Sequence, residues 1–253
     1  MKFVRFRVNN TEHTGVLENE GINEIQGNLF EHWTYTGDTY SIKEVQLLAP
    51  IHPNQIIGIG ANYVGNSADL PEELPELPVF FFKPVSSVIG TGEEIVIPKG
   101  IHEVKFESEL AVVIGKTAKN IEEIDALDYV FGYTIGNDVT APQYFHRDGH
   151  WTIGKSFDSF TPLGPVIETE LDPAVVRVEA KVNGVEKQNS PTEWMIIPLK
   201  KMIAYLSTVM TLQPGDVILT GSPLGAELIQ ENDTIECVIN EIGTLQNRLV
   251  TAK

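Results

Sequence analysis

Val104-Lys105-Phe106-Glu107-Ser108-Glu109-Leu110-Ala111-Val112-Val113-Ile114-Gly115 is the stretch whose reading decides the fold. It is the longest strand signal in the chain. Alternate side chains of a strand share a face. Glu107 and Glu109 therefore point the same way, followed by Ala111 and Val113, with Phe106, Leu110, Val112 and Ile114 opposite. From Leu110 onward both faces are apolar, so the strand runs into a core. Two carboxylates side by side at the entrance to a core repel each other and lose solvation. A cation relieves both penalties. The plain alternative is an exposed strand edge, where Glu-x-Glu also occurs.

A second stretch, Tyr129 to Thr140, reads as another strand and contains Gly132-Tyr133-Thr134-Ile135-Gly136-Asn137-Asp138-Val139-Thr140. It places Asp138 at the end of a largely apolar run. Three carboxylates without Cys or His describe a hard-cation site, with Mg²⁺ or Mn²⁺ favoured over Zn²⁺ and Ca²⁺ also admitted. Three protein oxygens leave about three of six octahedral positions for water or substrate, as in a catalytic site.

Around these two stretches strands dominate. Lys2 to Val8 alternates, and Thr14 to Leu17 reads as its return strand. Ser41 to Leu48 fits a short helix or a strand. Gln55 to Gly60 reads as a short apolar strand and Val79 to Lys83 as a buried one. Val175 to Val185 alternates and turns at Asn183-Gly184, a strong hairpin signal. Leu199 to Met210 has helical spacing. Leu212 to Asp216 turns into the strand Val217 to Thr220, and Thr234 to Val250 reads as two more strands. The segment from Asp69 to Pro78 holds three prolines and four acids in ten residues, which neither a helix nor a central strand tolerates. It is a loop, either a solvated connection or a cover for a site. These features predict a mainly β, α+β chain, with a small β-rich unit at 1–50 and a larger one at 51–253.

The composition narrows the partners. The chain has 253 residues and 18 Lys+Arg against 35 Asp+Glu, a net charge of −17. Such a surface repels phosphate backbones and anionic membranes, which argues against nucleic-acid or membrane partners. A hydrophobic fraction of 42% is that of a globular protein. No apolar run approaches the roughly 20 residues of a membrane helix. The N-terminal MKFVRFRVNN reads as a strand with charges inside its pattern, not as a signal peptide. The one cysteine, Cys237, allows no intramolecular disulfide, which fits a cytoplasmic protein.

The motifs, in order, resemble the fumarylacetoacetate hydrolase family from about Ile51 to Val250. They are Ile57-Gly58-Ile59-Gly60-Ala61-Asn62-Tyr63, Phe81-Phe82-Lys83-Pro84, the 106–115 and 132–140 stretches, Gly154-Lys155-Ser156-Phe157-Asp158 with Pro162-Leu163-Gly164-Pro165, and the run from Leu212 to Gly225. The resemblance implies a mixed β-sandwich roll, a divalent metal and a homodimer. It implies that Glu107, Glu109 and Asp138 are metal ligands. It places Lys155 near the metal at the substrate's polar end, with Glu107 and Lys155 as candidate catalytic residues. Tyr63, Lys83 and Ser222 join Lys155 as candidate substrate-binding residues. Lys83 reads equally as a solvated strand end, and Ser222 as a turn residue before Pro223.

The departures from the family pattern bear on the reaction. Hydrolytic and decarboxylating relatives carry His and Glu where this chain has Asn66 and Asp69, and an amide is no general base near neutral pH. The family's Arg and Gln after the metal Asp are replaced here by Pro142 and Phe145. His146, Arg147 and His150 follow just downstream as substitutes or as ordinary loop residues. A 2-oxo or 2-hydroxydienoic acid can chelate Mg²⁺, and the cation then stabilises the enolate formed when a neighbouring bond breaks. Hydrolysis also needs an activated water. The expected function is therefore a metal-dependent isomerase or tautomerase of the 2-hydroxyhepta-2,4-diene-1,7-dioate isomerase type acting on a small anionic substrate. In that reading Lys155, or an acid of the 69–76 loop, handles protons. A C–C hydrolase or decarboxylase, using His146 or His150 as base in the hydrolytic case, and a non-catalytic metal- and ligand-binding relative are the alternatives.

Overall fold

The structure, a computed structural model, describes residues 1–75, 79–145 and 151–252. The first strands are β1 (Lys2–Val8), β2 (Thr11–Glu18), β3 (Gly21–Asn28), β4 (His32–Ser41) and β5 (Gln46–Leu47). They are followed by β6 (Ile56–Ile59), β7 (Phe80–Lys83), β8 (Val88–Ile89), β9 (Glu94–Ile97), β10 (Val104–Lys105), β11 (Ser108–Ile114), β12 (Val130–Asn137) and β13 (Thr161–Glu168). The last part holds β14 (Arg177–Val182), β15 (Val185–Pro191), the helix α1 (Leu199–Val209), β16 (Val217–Leu219), β17 (Leu228–Ile229), β18 (Thr234–Ile239) and β19 (Gly243–Thr251). Short 3₁₀ turns make up the remaining regular structure. Among the described residues no helix is long and apolar enough to cross a membrane.

Two mixed sheets carry the fold. The larger has the order β4-β3-β2-β1-β13-β12-β11-β16-β6-β7, and the smaller β15-β14-β18-β19-β9. Most neighbours are antiparallel, but β16 and β6 are parallel, as are β19 and β9. The N-terminal strands join the larger sheet through β1, which pairs with β13 at Lys2↔Glu168 and Phe3↔Ile167. This is the mixed, mainly β architecture expected from the sequence.

β11 sits near the middle of the larger sheet, between β12 and β16. All seven of its residues are buried. Leu110, Val112 and Ile114 pack into the main core with Val178, Ala180, Cys237 and Leu245 of the smaller sheet. Ala111 and Val113 face a second apolar cluster with Phe3, Ile56, Leu163 and Leu219. Both faces of β11 are thus covered, as its apolar run requires. Burying a residue such as Leu110 contributes about 1.5–3 kcal/mol.

Three expectations need correction. The run from Val104 to Ile114 is two strands, because pairing passes from β12 on Ser108–Ile114 to β17 on Val104–Lys105. At the break, the Asn137 side chain replaces a main-chain partner by accepting from Glu107 N at 3.0 Å. The 129–140 strand is shorter, with Tyr129 ending a 3₁₀ turn and Asp138 lying one residue past β12. The 79–83 strand is only half-buried, because β7 is the last strand of the larger sheet and pairs only with β6. Phe81 and Lys83 face inward while Phe82 is 47% exposed.

The Asn183-Gly184 hairpin forms as read, joining β14 to β15 in antiparallel register. Asn183 has φ 52° and Gly184 φ 77°, the pair of positive values that matches strand twist across a two-residue loop. A Cβ on Gly184 would meet nothing within 4 Å, so only backbone strain opposes it. Gly184→Ala is expected to lower unfolding stability by about 1 kcal/mol. Urea unfolding reads this directly, and an unchanged midpoint would show that the turn does not hold this conformation.

Candidate active site

The three acids singled out in the sequence come together. Glu107, Glu109 and Asp138 each offer a carboxylate oxygen, and these atoms lie within 4.8 Å of one another. The fold brings them there by pairing: β11 and β12 are in register at Ser108↔Asn137, and Asp138 N donates to Glu107 O at 2.8 Å. Glu109 and Asp138 are 2% and 1% exposed, while Glu107 is half-buried.

Three lysines surround the acids. Lys155, delivered by the 3₁₀ turn Ile153–Lys155, places Nζ 2.6 Å from Glu107 Oε2 and also pairs with Asp138 Oδ2. The same ammonium lies 4.9 Å from the centroid of the Phe81 ring. Lys83 Nζ sits 2.6 Å from Asp138 Oδ1 and donates to Val139 O at 3.1 Å. Lys105 Nζ is 3.2 Å from Glu107 Oε1. Among the described residues Glu109 has no ammonium partner and accepts only from Gly221 N, at 2.7 Å.

The titration behaviour follows from this placement. Burial, then the neighbouring Asp138 and Glu107, push Glu109 well above the usual carboxylate range. Burial also acts to raise Asp138, but Lys155 and Lys83 outweigh it and hold the acid below its ordinary value. Lys155 is raised despite burial, because Asp138 and Glu107 favour its charged form. Burial lowers Lys83 in spite of Asp138. Three carboxylates and three ammoniums nearly cancel, so a divalent ion would leave the site net positive and attractive to an anion. The donor set is all oxygen, and its least compensated member is a buried carboxylate. These residues fit a hard cation.

The acids and Lys155 open onto a cavity of about 290 Å³. Its other lining includes Phe81, Phe145, Trp151 and the 222–226 loop. Gly60 provides the seat for Trp151, since a Cβ there would lie 2.2 Å from Trp151 Cζ3. Ser222 lines the cavity and accepts from Gln188 Nε2 at 2.8 Å. Lys83 does not line it. It is 3% exposed and lies behind Asp138, so it is no solvated strand end. Tyr63 is also behind the lining. Its hydroxyl is buried without a hydrogen-bond partner among the described residues, and burial followed by Glu109 raises its pKa.

The positions of the family's missing groups are resolved in part. Asn66 donates to Asp69 Oδ2 at 2.6 Å and accepts from Ala68 N at 2.9 Å, capping the 3₁₀ turn Ser67–Asp69. None of Asn66, Asp69, Glu72 and Glu73 lines the cavity. Glu76, His146, Arg147 and His150 lie outside the described residues. Pro142 opens a 3₁₀ turn, and Phe145 after it presents an apolar ring to the cavity where a cation or amide was absent from the sequence.

Sequence reasoning missed Lys105, Trp151 and Gln188. Lys105 precedes Glu107 by two residues, and that spacing was the available signal. Trp151 and Gln188 reach the site through contacts remote in sequence.

Fold and site together define a β-rich protein with a cluster of three carboxylates, a candidate cation site, at a cavity. The chain belongs to the fumarylacetoacetate hydrolase family, whose "Fumarylacetoacetate (FAA) hydrolase C-terminal" model matches residues 55–250. A second model, "Rv2993c-like, N-terminal", matches residues 1–50. Mitochondrial oxaloacetate tautomerase of Xenopus laevis is 41% identical over 223 residues, covering 83% of this chain and 70% of the relative. The crystal structure of 2-hydroxyhepta-2,4-diene-1,7-dioate isomerase from Mycobacterium marinum superposes with a TM-score of 0.92 at 37% identity, covering 99% of this chain and 98% of that one. Maleylpyruvate hydrolase from Sphingobium sp. SYK-6, in complex with manganese(II) ion and pyruvate, matches with a TM-score of 0.83 at 30% identity over 100% of both chains. The chain is thus an enzyme of a family whose members include tautomerases, isomerases and hydrolases.

Proposed function

We propose that this enzyme is a divalent-cation-dependent isomerase or tautomerase of 2-oxo and 2-hydroxydienoic acids. The observation that carries this reading is the Lys155 ammonium held between Glu107 and Asp138 at the cavity. Glu107, Glu109 and Asp138 would hold Mg²⁺, or alternatively Mn²⁺ or Ca²⁺. When bound, such an ion supplies fixed positive charge where an enolate develops on the substrate.

The chain's own residues do the rest. Lys155 attracts the carboxylate end of the substrate and holds a proton at Nζ, where Glu107 and Asp138 keep it charged. Glu107 is the most accessible of the three acids and contacts Lys155, so a proton donor and an acceptor stand side by side at the cavity. Ser222 offers a hydroxyl to the substrate, while Lys83 pairs with Asp138 from behind. Phe81, Phe145 and Trp151 give the cavity an apolar lining, which disfavours an activated water and so hydrolysis. The similarity to maleylpyruvate hydrolase favours a second reading, C–C hydrolysis with His146 or His150 as base. A homodimer belongs to both readings, and sedimentation would check it.

The test is a panel of 2-oxo and 2-hydroxydienoic mono- and diacids given to purified protein with Mg²⁺ or Mn²⁺. Ultraviolet and NMR spectra should show keto–enol or double-bond shifts without C–C cleavage. Rapid hydrolysis of an acylpyruvate with no such shift would replace the first reading by the second. Ligand-dependent thermal stabilisation without any product would identify a binding protein.

A further inference from the structure

Gln188 lies outside the cavity but joins its two halves. It sits on β15, is 1% exposed, and uses both ends of its amide. Its Oε1 accepts from Ser108 N at 3.0 Å. Ser108 is the residue between Glu107 and Glu109, and its own hydroxyl donates to Glu179 O at 3.0 Å. The Gln188 Nε2 donates to Ser222 Oγ at 2.8 Å and to Pro223 O at 2.6 Å. Buried amides satisfied at both ends resist rotation, because any turn leaves polar groups unpaired.

The loop that Gln188 holds has two more ties to β15. Gly225 has φ 104°, and a Cβ there would lie 1.9 Å from Lys187 O. Lys187 Nζ pairs with Glu227 Oε1 at 2.6 Å. At the loop's other end, Gly221 N donates to Glu109 Oε2. One stretch of chain is thus fixed to a carboxylate at one end and to Gln188 in its middle.

We propose that Gln188 is a positioning residue that sets the spacing between the cation site and the anion-binding loop at residues 221–226. The inference rests on the assignment of Glu107, Glu109 and Asp138 as cation ligands and of the loop as a substrate contact. The acceptor end of Gln188 orders the ligand-bearing strand, and the donor end orders the loop. The two ends therefore affect two different measurements.

The experiment uses full-length protein, with Mn²⁺ titrated calorimetrically and oxalate then titrated into Mn²⁺-saturated protein. Gln188→Met loses both ends, and both affinities should fall about tenfold, the effect of roughly 1.4 kcal/mol per lost positioning contact. Gln188→Glu restores the acceptor for Ser108 N, so Mn²⁺ affinity should return to within about twofold of native while oxalate affinity stays low. Gly225→Ala pushes the loop off β15 without touching Ser108, and should weaken oxalate alone. Should Gln188→Glu not fold, Gly225→Ala set against Gln188→Met still separates the two effects. Where native protein binds Mn²⁺ and oxalate, unchanged oxalate affinity in Gln188→Met and Gly225→Ala would overturn the proposal. Native protein that binds no Mn²⁺ would instead overturn the ligand assignment beneath it.

Discussion

Glu109→Gln is expected to lose divalent-cation affinity by at least about a hundredfold while the protein stays folded. Glu109 is the buried acid whose charge is least compensated by protein. Its only hydrogen bond among the described residues comes from Gly221 N. Burial, Asp138 and Glu107 already disfavour its ionised form without a cation. An amide keeps the size and one acceptor oxygen, so Gly221 N retains a partner. It also removes a repulsive charge from the base of the sheet, and thermal stability of the apoprotein should be unchanged or raised. Elemental analysis of the dialysed, metal-loaded variant gives the answer. Metal content equal to the native protein would remove Glu109 from the ligand set.

Lys155→Met should lower turnover by about two to four orders of magnitude, the range for loss of a positioned proton donor and charge partner. Lys155 is 3% exposed and contacts two of the three acids. Methionine fills the same space beneath the Phe81 ring without the charge. The substitution leaves Glu107 and Asp138 with less positive charge, so cation affinity should hold or rise. That combination separates a role in turnover from one in holding the site together. Steady-state kinetics beside Mn²⁺ titration test it. Turnover within about threefold of native would assign the proton transfer to another group.

The parts of the fold legible in sequence were those with local causes. Asn183-Gly184 needs two positive φ values, and that requirement is written in two residues. β11 was legible because apolar residues on both faces can only be buried. Its break at Phe106–Glu107 was not, because the Asn137 side chain that replaces the main-chain partner is 30 residues away. β3, β4 and β13 are not legible because polar residues, glycine or proline interrupt their alternation, and β9 because its apolar run, Ile95-Val96-Ile97, is too short to mark a strand. Val79 to Lys83 reads as a buried strand, but β7 is the edge of the sheet, so only Phe81 and Lys83 are covered and Phe82 is exposed.

The site divides in the same way. Glu107 and Glu109 announced themselves by spacing and context, and Asp138 by its place at the end of an apolar run. Their convergence depends on the register of β11 with β12, which the sequence does not spell out. Lys155 was placed by resemblance to the family, and the geometry now gives it two specific partners. Asn66 stands where hydrolytic relatives carry His, and its bonds to Ala68 and Asp69 show that it caps a turn there. Gln188 was silent because a glutamine in a hairpin strand carries no chemical signal until the loop at 222–223 folds against it.

The central claim is that the three acids support cation-dependent proton shifts on a 2-oxo acid. Deuterium incorporation at C3 of such an acid in D₂O, followed by NMR as Mg²⁺ is titrated, tests it most directly. The expected result is exchange that rises with Mg²⁺, saturates, and is absent in Glu109→Gln, with the carbon skeleton intact. Exchange indifferent to Mg²⁺ and unaffected in Glu109→Gln, or cleavage of the skeleton without exchange, would contradict it.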